Sequence, residues 1–171
     1  MATQMSEIQG KGASDNEPID ISIETDQRGA VAEALKQALA DSYALYFKTL
    51  GVHWNVTGGS FYGIHTLTDA QYNELHEAAD AIAERIRALG HVAPASFAEF
   101  RELSCVDVDT PHTSTAEMIK QLVADNEAVA KRMYDVSETA EENDDKFTED
   151  MIIARIGRHE ENAWMLRSSI A

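Results

Sequence analysis

Residues 61–89 read Phe-Tyr-Gly-Ile-His-Thr-Leu-Thr-Asp-Ala-Gln-Tyr-Asn-Glu-Leu-His-Glu-Ala-Ala-Asp-Ala-Ile-Ala-Glu-Arg-Ile-Arg-Ala-Leu. Within this stretch Ile64, Thr68, Tyr72, Leu75, Ala79, Ile82, Ile86 and Leu89 recur at steps of three and four, the period of one helix face. Gly90 follows where a terminating glycine belongs. The segment predicts a helix of about 29 residues, roughly 43 Å long at 1.5 Å per residue. A second face of the same helix carries ionisable groups. With His65 at 0° on the helical wheel, Asp69 falls at about 40°, Asp80 at about 60° and Glu84 at about 100°. Two readings fit this face. It is a solvated stripe, the usual meaning of charge at helical spacing, or it is a set of nitrogen and oxygen donors suited to iron, manganese or zinc. Burying carboxylates costs several kcal/mol unless they are paired or hold a metal, so the second reading needs an ion.

Rise along the axis constrains the metal reading further. His65 and Asp69 stand about 6 Å apart, as do Asp80 and Glu84, but about 16 Å separates Asp69 from Asp80. Metal–ligand bonds are about 2 Å, so one copy of the helix cannot bring both pairs to one ion. Two copies crossing antiparallel about a two-fold axis would bring the His65 end of one chain to the Glu84 end of the other, making two equivalent composite sites.

Outward from this helix the chain is helical on both sides. Val31, Leu35, Ala38, Ser42, Leu45, Thr49, His53 and Val56 mark a helix over 27–56, and Thr57-Gly58-Gly59-Ser60 is turn chemistry. Residues 90–114 hold Pro94 and Pro111 and are too broken for a long helix, although Ser96 with Glu99 forms a capping box that opens a short one ending near Leu103. Ser114 with Glu117 opens another, whose apolar stripe runs from Ile119 to Ala140. The acidic run Glu141-Glu142-Asn143-Asp144-Asp145 interrupts the pattern, which resumes in a last helix starting near Thr148. Short loops make the first and second helices one antiparallel hairpin and the last two another, while about 25 residues join the hairpins. One long crossover among four helices is the ferritin-like, all-α arrangement, here with a short helix in the crossover. Residues 1–26 lack a lasting apolar period and are read as a mobile acidic tail ahead of a bundle over 27–171.

His53 lies on the apolar face of the first helix, where a histidine is more often a hydrogen-bonded core residue than a ligand. The identities around it decide otherwise. His53-Trp54-Asn55-Val56-Thr57-Gly58, then Phe61, His65 and Asp69, then Asp80-Ala81-Ile82-Ala83-Glu84-Arg85, resemble the family of DNA-binding proteins from starved cells, the Dps miniferritins. Trp164-Met165-Leu166 is similar to that family's ending, so the resemblance spans roughly residues 30–170. It implies a hollow homododecamer built from two-fold dimers, with ferroxidase centres of two irons each at the dimer interface. His53, His65, Asp69, Asp80 and Glu84 would be the metal ligands, drawn from two chains. The family oxidises ferrous iron, preferably with hydrogen peroxide, and stores ferric mineral; other divalent metals such as zinc compete for such sites. Trp54 and Trp164 resemble aromatic residues near the family's centre that quench stray oxidising equivalents; packing in the core is the other reading. The acidic corner resembles the family's iron-entry pore, which would assign Asp144, Asp145 and Asp150, with Lys146 among them. His76, His91, His112 and His159 are read as surface or core histidines.

Two departures narrow the reading. No Glu is followed three residues later by His, so the repeated Glu-x-x-His of ordinary ferritins is missing. Family members that condense DNA commonly use lysine-rich tails, whereas here Glu7, Asp15, Glu17, Asp20, Glu24 and Asp26 face Lys11 alone.

Composition agrees with one soluble domain: 171 residues, 44% hydrophobic and 26% charged. The net charge of −16 opposes binding to a polyanion and speaks against DNA as a partner; a non-specific nucleoid protein with little ferroxidase activity is the alternative. A hydrolase on the same fold is a third class, since fold does not fix function. No apolar run reaches the roughly 20 residues of a membrane span. Cys105 is the single cysteine and cannot form an internal disulfide, and the first residues lack the parts of a secretory signal, which together predict the cytoplasm. So large an excess of acid is also a device of salt-rich cytoplasm. On that reading the protein unfolds as salt is withdrawn; a melting temperature that calorimetry finds indifferent to salt would exclude it.

Overall fold

The computed structural model describes residues 19–109 and 113–170. Helix α1 spans Thr25–Asn55, α2 Phe61–Ala88, α3 Phe97–Leu103, α4 Thr115–Glu142 and α5 Lys146–Ser168. No strand occurs among the described residues, and none of their helices is long and apolar enough to cross a membrane. The architecture is the ferritin-like bundle expected, with α3 in the crossover. Most of the expected tail, and His112 and Pro111 in the crossover, lie outside the described residues.

Helix ends follow local chemistry. Gln27 Oε1 accepts the Glu24 N–H at 3.0 Å, so α1 begins at Thr25, two residues earlier than the apolar period shows. Buried Ile23 and the bond from Arg28 to the Ile23 carbonyl, 2.8 Å, tie the segment before it to the bundle. Ser96 and Ser114 cap α3 and α4, each accepting the backbone N–H three residues on. At the end of α2, Gly90 takes φ +89°, its N–H bonds the Arg87 carbonyl and the His91 N–H bonds that of Ile86. This is a Schellman ending, and it needs the left-handed conformation that glycine adopts freely. A Cβ at Gly90 would also stand 2.4 Å from Ile19 Cδ1. The same ending closes α4 with Asp144 at φ +56° in the glycine position. Helix α4 runs on through Glu142, because glutamate is a good helix former even where the apolar stripe has stopped. Asp145 then caps α5, accepting from the Thr148 N–H at 3.0 Å, and the helix starts at Lys146 rather than near Thr148.

The four long helices bury the stripes that the sequence marks. Val31, Leu35, Leu45, Leu75, Ile82 and Ile86 from the first hairpin meet Ile119, Leu122, Met133, Ile152 and Leu166 from the second, all at 0–1% exposure. Helix α1 packs on α2 and, antiparallel, on α4: Thr57 meets Thr115, Lys48 pairs with Asp125 at 2.7 Å, and Gln37 accepts from Arg132 at 2.7 Å. Helices α2 and α5 meet less closely, through Glu74 with Arg155 and Arg85 with Asp145. The crossover is fastened to α1 by Asp41, wholly buried, which accepts from Ser104 Oγ at 2.8 Å and the Cys105 N–H at 2.7 Å. Burial raises the Asp41 carboxyl above its ordinary value despite these donors and Arg132 nearby. Tyr43 stacks on Phe100 of α3 at 4.9 Å.

His159 is a core histidine. Its Nδ1 faces Asn126 Oδ1 at 3.1 Å, and burial, with the charge of Arg155, takes it from 6.5 down to about 3. The unfolded chain therefore binds a proton that the folded one refuses, so this contribution to stability is complete above about pH 6.5 and is lost as the pH falls toward 3. Over that window the group steepens acid destabilisation by about 1.4 kcal/mol per pH unit. His159→Gln is expected to lower proton uptake on unfolding at pH 5 by one; calorimetric uptake equal to that of the native protein would refute this.

Candidate metal centre

The loop between α1 and α2 is short, so the last turn of α1 lies against the first turns of α2. His53 and His65 meet there with rings parallel within 17° and centroids 3.8 Å apart. Each Nδ1 donates to the backbone carbonyl of the other residue at 2.9 Å. The bond from His65 satisfies the His53 carbonyl, one of those that the end of α1 leaves without an intrahelical partner. The two bonds also fix both imidazoles in the tautomer that leaves Nε2 with a free lone pair, the arrangement of a metal-ligating histidine whose other nitrogen is held by a carbonyl. Phe61 stacks on the outer face of His65 at 5.0 Å, completing a three-ring pile.

Asp69 follows one turn after His65 and is exposed; Tyr72 donates its hydroxyl to Asp69 Oδ1 at 2.7 Å. Thr68 Oγ1 donates to the Ile64 carbonyl at 2.7 Å and lies 3.4 Å from His53 Nδ1. Thr68 and Tyr72 are the site residues that the sequence reading placed only in the apolar stripe. The one available signal for Tyr72 was its position three residues after Asp69, which puts a hydroxyl within reach of the carboxylate.

Asp80 and Glu84 are exposed on the same unbroken helix, at the distance that helix rise dictates. The structure thus gathers His53, His65 and Asp69 at one end of α2 and leaves Asp80 and Glu84 at the other. Among the described residues of one chain, no three His, Cys, Asp or Glu converge closely enough to hold an ion. The donor set nonetheless fits iron: two imidazoles with Nε2 free, and three uncrowded carboxylates.

Trp54 and Trp164 are each 62% exposed, so neither packs into the core of its own chain. The three acids of the corner divide. Asp144 and Asp150 are exposed, whereas Asp145 is buried and fully engaged, with Arg85 at 2.7 Å and Thr148 Oγ1 at 2.6 Å. Burial pushes the Asp145 carboxyl up, but the hydrogen bonds from Arg85 and Thr148 outweigh it and hold it below its ordinary value. Cys105 is unpaired and exposed as a residue, but partial burial of its thiol, with Asp41 close by, raises it to about 11, which makes it a poor nucleophile.

A family profile described as a ferritin-like domain matches residues 32–171. An uncharacterised low-temperature-induced protein of Nostoc sp. is 39% identical over 156 residues, 89% of this chain and 86% of that protein. DNA protection during starvation protein 2 of Bacillus anthracis is 32% identical over 139 residues, 81% of this chain and 94% of that one. The solved Dps protein from Vibrio cholerae O1, described as a member of a broad superfamily of ferritin-like diiron-carboxylate proteins, has a TM-score of 0.83 at 26% identity and covers 91% of this chain and 99% of its own. With the ferritin-like match over residues 32–171 and the Bacillus anthracis relative 32% identical across 94% of its length, this chain belongs to the Dps family of ferritin-like proteins.

Proposed function

We propose that this protein oxidises ferrous iron and stores the ferric product, at centres shared between two copies of the chain. The observation that carries the reading is the reciprocal latch of His53 and His65, which presents two Nε2 lone pairs one helical turn from Asp69. Asp80 and Glu84 of a second copy complete the set, because their distance along α2 denies them to the first. A groove of about 960 Å³ beside α1 and the crossover supports the second copy. Its apolar lining includes Phe47 and Phe97, 56% and 87% exposed, side chains that a folded monomer has no reason to leave in water. Further assembly into a hollow dodecamer belongs to the same proposal.

The chemistry follows from the donors. Histidine and carboxylate ligands hold ferrous iron, carboxylates favour the ferric product, and few protein donors leave positions open to the oxidant. Hydrogen peroxide takes two electrons and each ferrous ion gives one, so paired irons complete the reduction without releasing hydroxyl radical. Trp54, exposed beside the latch, is placed to quench what escapes. Asp144 and Asp150 supply the exposed acids of an iron-entry pore, since like-charged carboxylates concentrate cations, while Asp145 holds the corner together. Zinc takes the same donors and competes.

Loading the protein anaerobically with ferrous iron and adding peroxide tests the centre, with the native chain beside Asp80→Ala plus Glu84→Ala. Both side chains are exposed, so the variant is expected to fold and to lose the fast phase, while the native protein consumes about one peroxide per two irons. Equal, slow oxidation by both would return this face of α2 to a solvated stripe.

The reading also sets DNA aside as a partner. The net charge of −16 per chain repels a polyanion, so no gel retardation is expected at low salt without magnesium. Retardation that weakens as salt rises would instead favour a nucleoid protein.

A further inference from the structure

The aromatic residues beyond the latch form a row with a direction. Tyr72 stands edge-on to His53, with centroids 5.2 Å apart, and its hydroxyl is on Asp69. Tyr46 of α1 lies 6.2 Å from Tyr72, and Tyr43, one turn earlier, lies 6.4 Å from Tyr46. Beyond Tyr43 the next ring is Phe100, at 4.9 Å, which has no hydroxyl and is far harder to oxidise. Tyr43, Tyr46 and Tyr72 are all half-buried. Apolar packing alone would place phenylalanine equally well here, since a phenol brings a polar group that must be satisfied. Three phenols in ring contact, starting on a ligand carboxylate and ending at a redox-inert ring, make a path for single electrons.

The geometry points to a tyrosine relay, Tyr72 to Tyr46 to Tyr43, that removes one-electron oxidants from the iron centre. The inference rests on the ferroxidase reading and adds what happens when only one iron is present. A lone ferrous ion reduces peroxide by one electron, giving a ferric ion, hydroxide and hydroxyl radical. Tyr72 gives this radical its phenolic hydrogen atom, which yields water and a tyrosyl radical. Tyr46 and then Tyr43 each restore the neighbour's phenol by giving up one electron and one proton. A later ferrous ion supplies the electron, and solvent the proton, that return Tyr43 to its phenol. The sum is two ferrous ions and one peroxide converted, with two protons, to two ferric ions and two waters, the same balance that the paired site achieves. The row leads from Asp69 along α1 toward the crossover, ending beside the groove that Tyr43 and Tyr46 line, so the radical is carried away from the exposed Trp54 rather than toward it.

The experiment uses the full chain, anaerobic, with one ferrous ion per subunit and a single addition of peroxide. Freeze-quenched electron paramagnetic resonance reads the radical, and ferric absorbance in the same mixture reads iron oxidation. The native protein is expected to show a tyrosyl radical, Tyr72→Phe to lose it, and Tyr46→Phe to hold it on Tyr72 with an altered hyperfine pattern and faster appearance of spin-trapped hydroxyl radical. An unchanged signal in Tyr72→Phe and Tyr46→Phe, or a tryptophanyl radical abolished only by Trp54→Phe, overturns the relay. Ferric absorbance that rises without any tyrosyl radical sinks the relay alone. No ferric absorbance in any protein sinks the ferroxidase reading and the relay together.

Discussion

A straight α-helix advances about 1.5 Å per residue and cannot return, so the two ends of the ionisable face of α2 never meet within one chain. Much of the molecule is arranged around this. The tight α1–α2 loop brings His53 onto the near end, where its own carbonyl, left open by the end of α1, accepts from His65 and the His65 carbonyl accepts from His53. The far end carries Asp80 and Glu84 into solvent, and Arg85 beside them is turned away to Asp145 at the foot of α5. An arginine left free next to those carboxylates would compete with a cation for them; fastened to Asp145, it supports the fold instead.

The four long helices and the face of α2 were legible because both rest on local period. Every apolar position named for the helix over 115–142 is buried, from Ile119 to Ala140. The helix ends were less so, for reasons of side-chain chemistry: a glutamine reaching back to Glu24 lengthens α1, and charged residues with good helix propensity carry α4 past its apolar stripe. Roles set by distant partners were hidden altogether. Asp145 looks like its neighbours Asp144 and Asp150 in the sequence, and only the approach of Arg85, sixty residues away, makes it a structural residue. Tyr72 reads as a core position because its ring does pack inward, while its hydroxyl reaches the surface carboxylate.

In the proposed function, charge rather than any motif sets DNA aside as a partner. Polar ties such as Asp41 to the crossover and Lys48 to Asp125 use charge inside the fold, where it fixes one geometry. Exposed acids are paired where a base lies in reach, as Glu117 is with Lys120 and Glu161 with Arg158, but 30 acidic residues against 14 basic ones leave most of the charge uncancelled.

The contact of Ile19 with the glycine that ends α2 gives that outward charge a direction. Ile19 meets the bundle where α1 begins, α2 stops and the α4–α5 corner turns. Asp20, Glu24 and Asp26 therefore share a pole with the carboxylates of Asp144 and Asp150, while the histidine pair occupies the opposite one. The bundle is an electrical dumbbell of unequal ends, and a copy approaching it meets a surface that already distinguishes which way round it should sit.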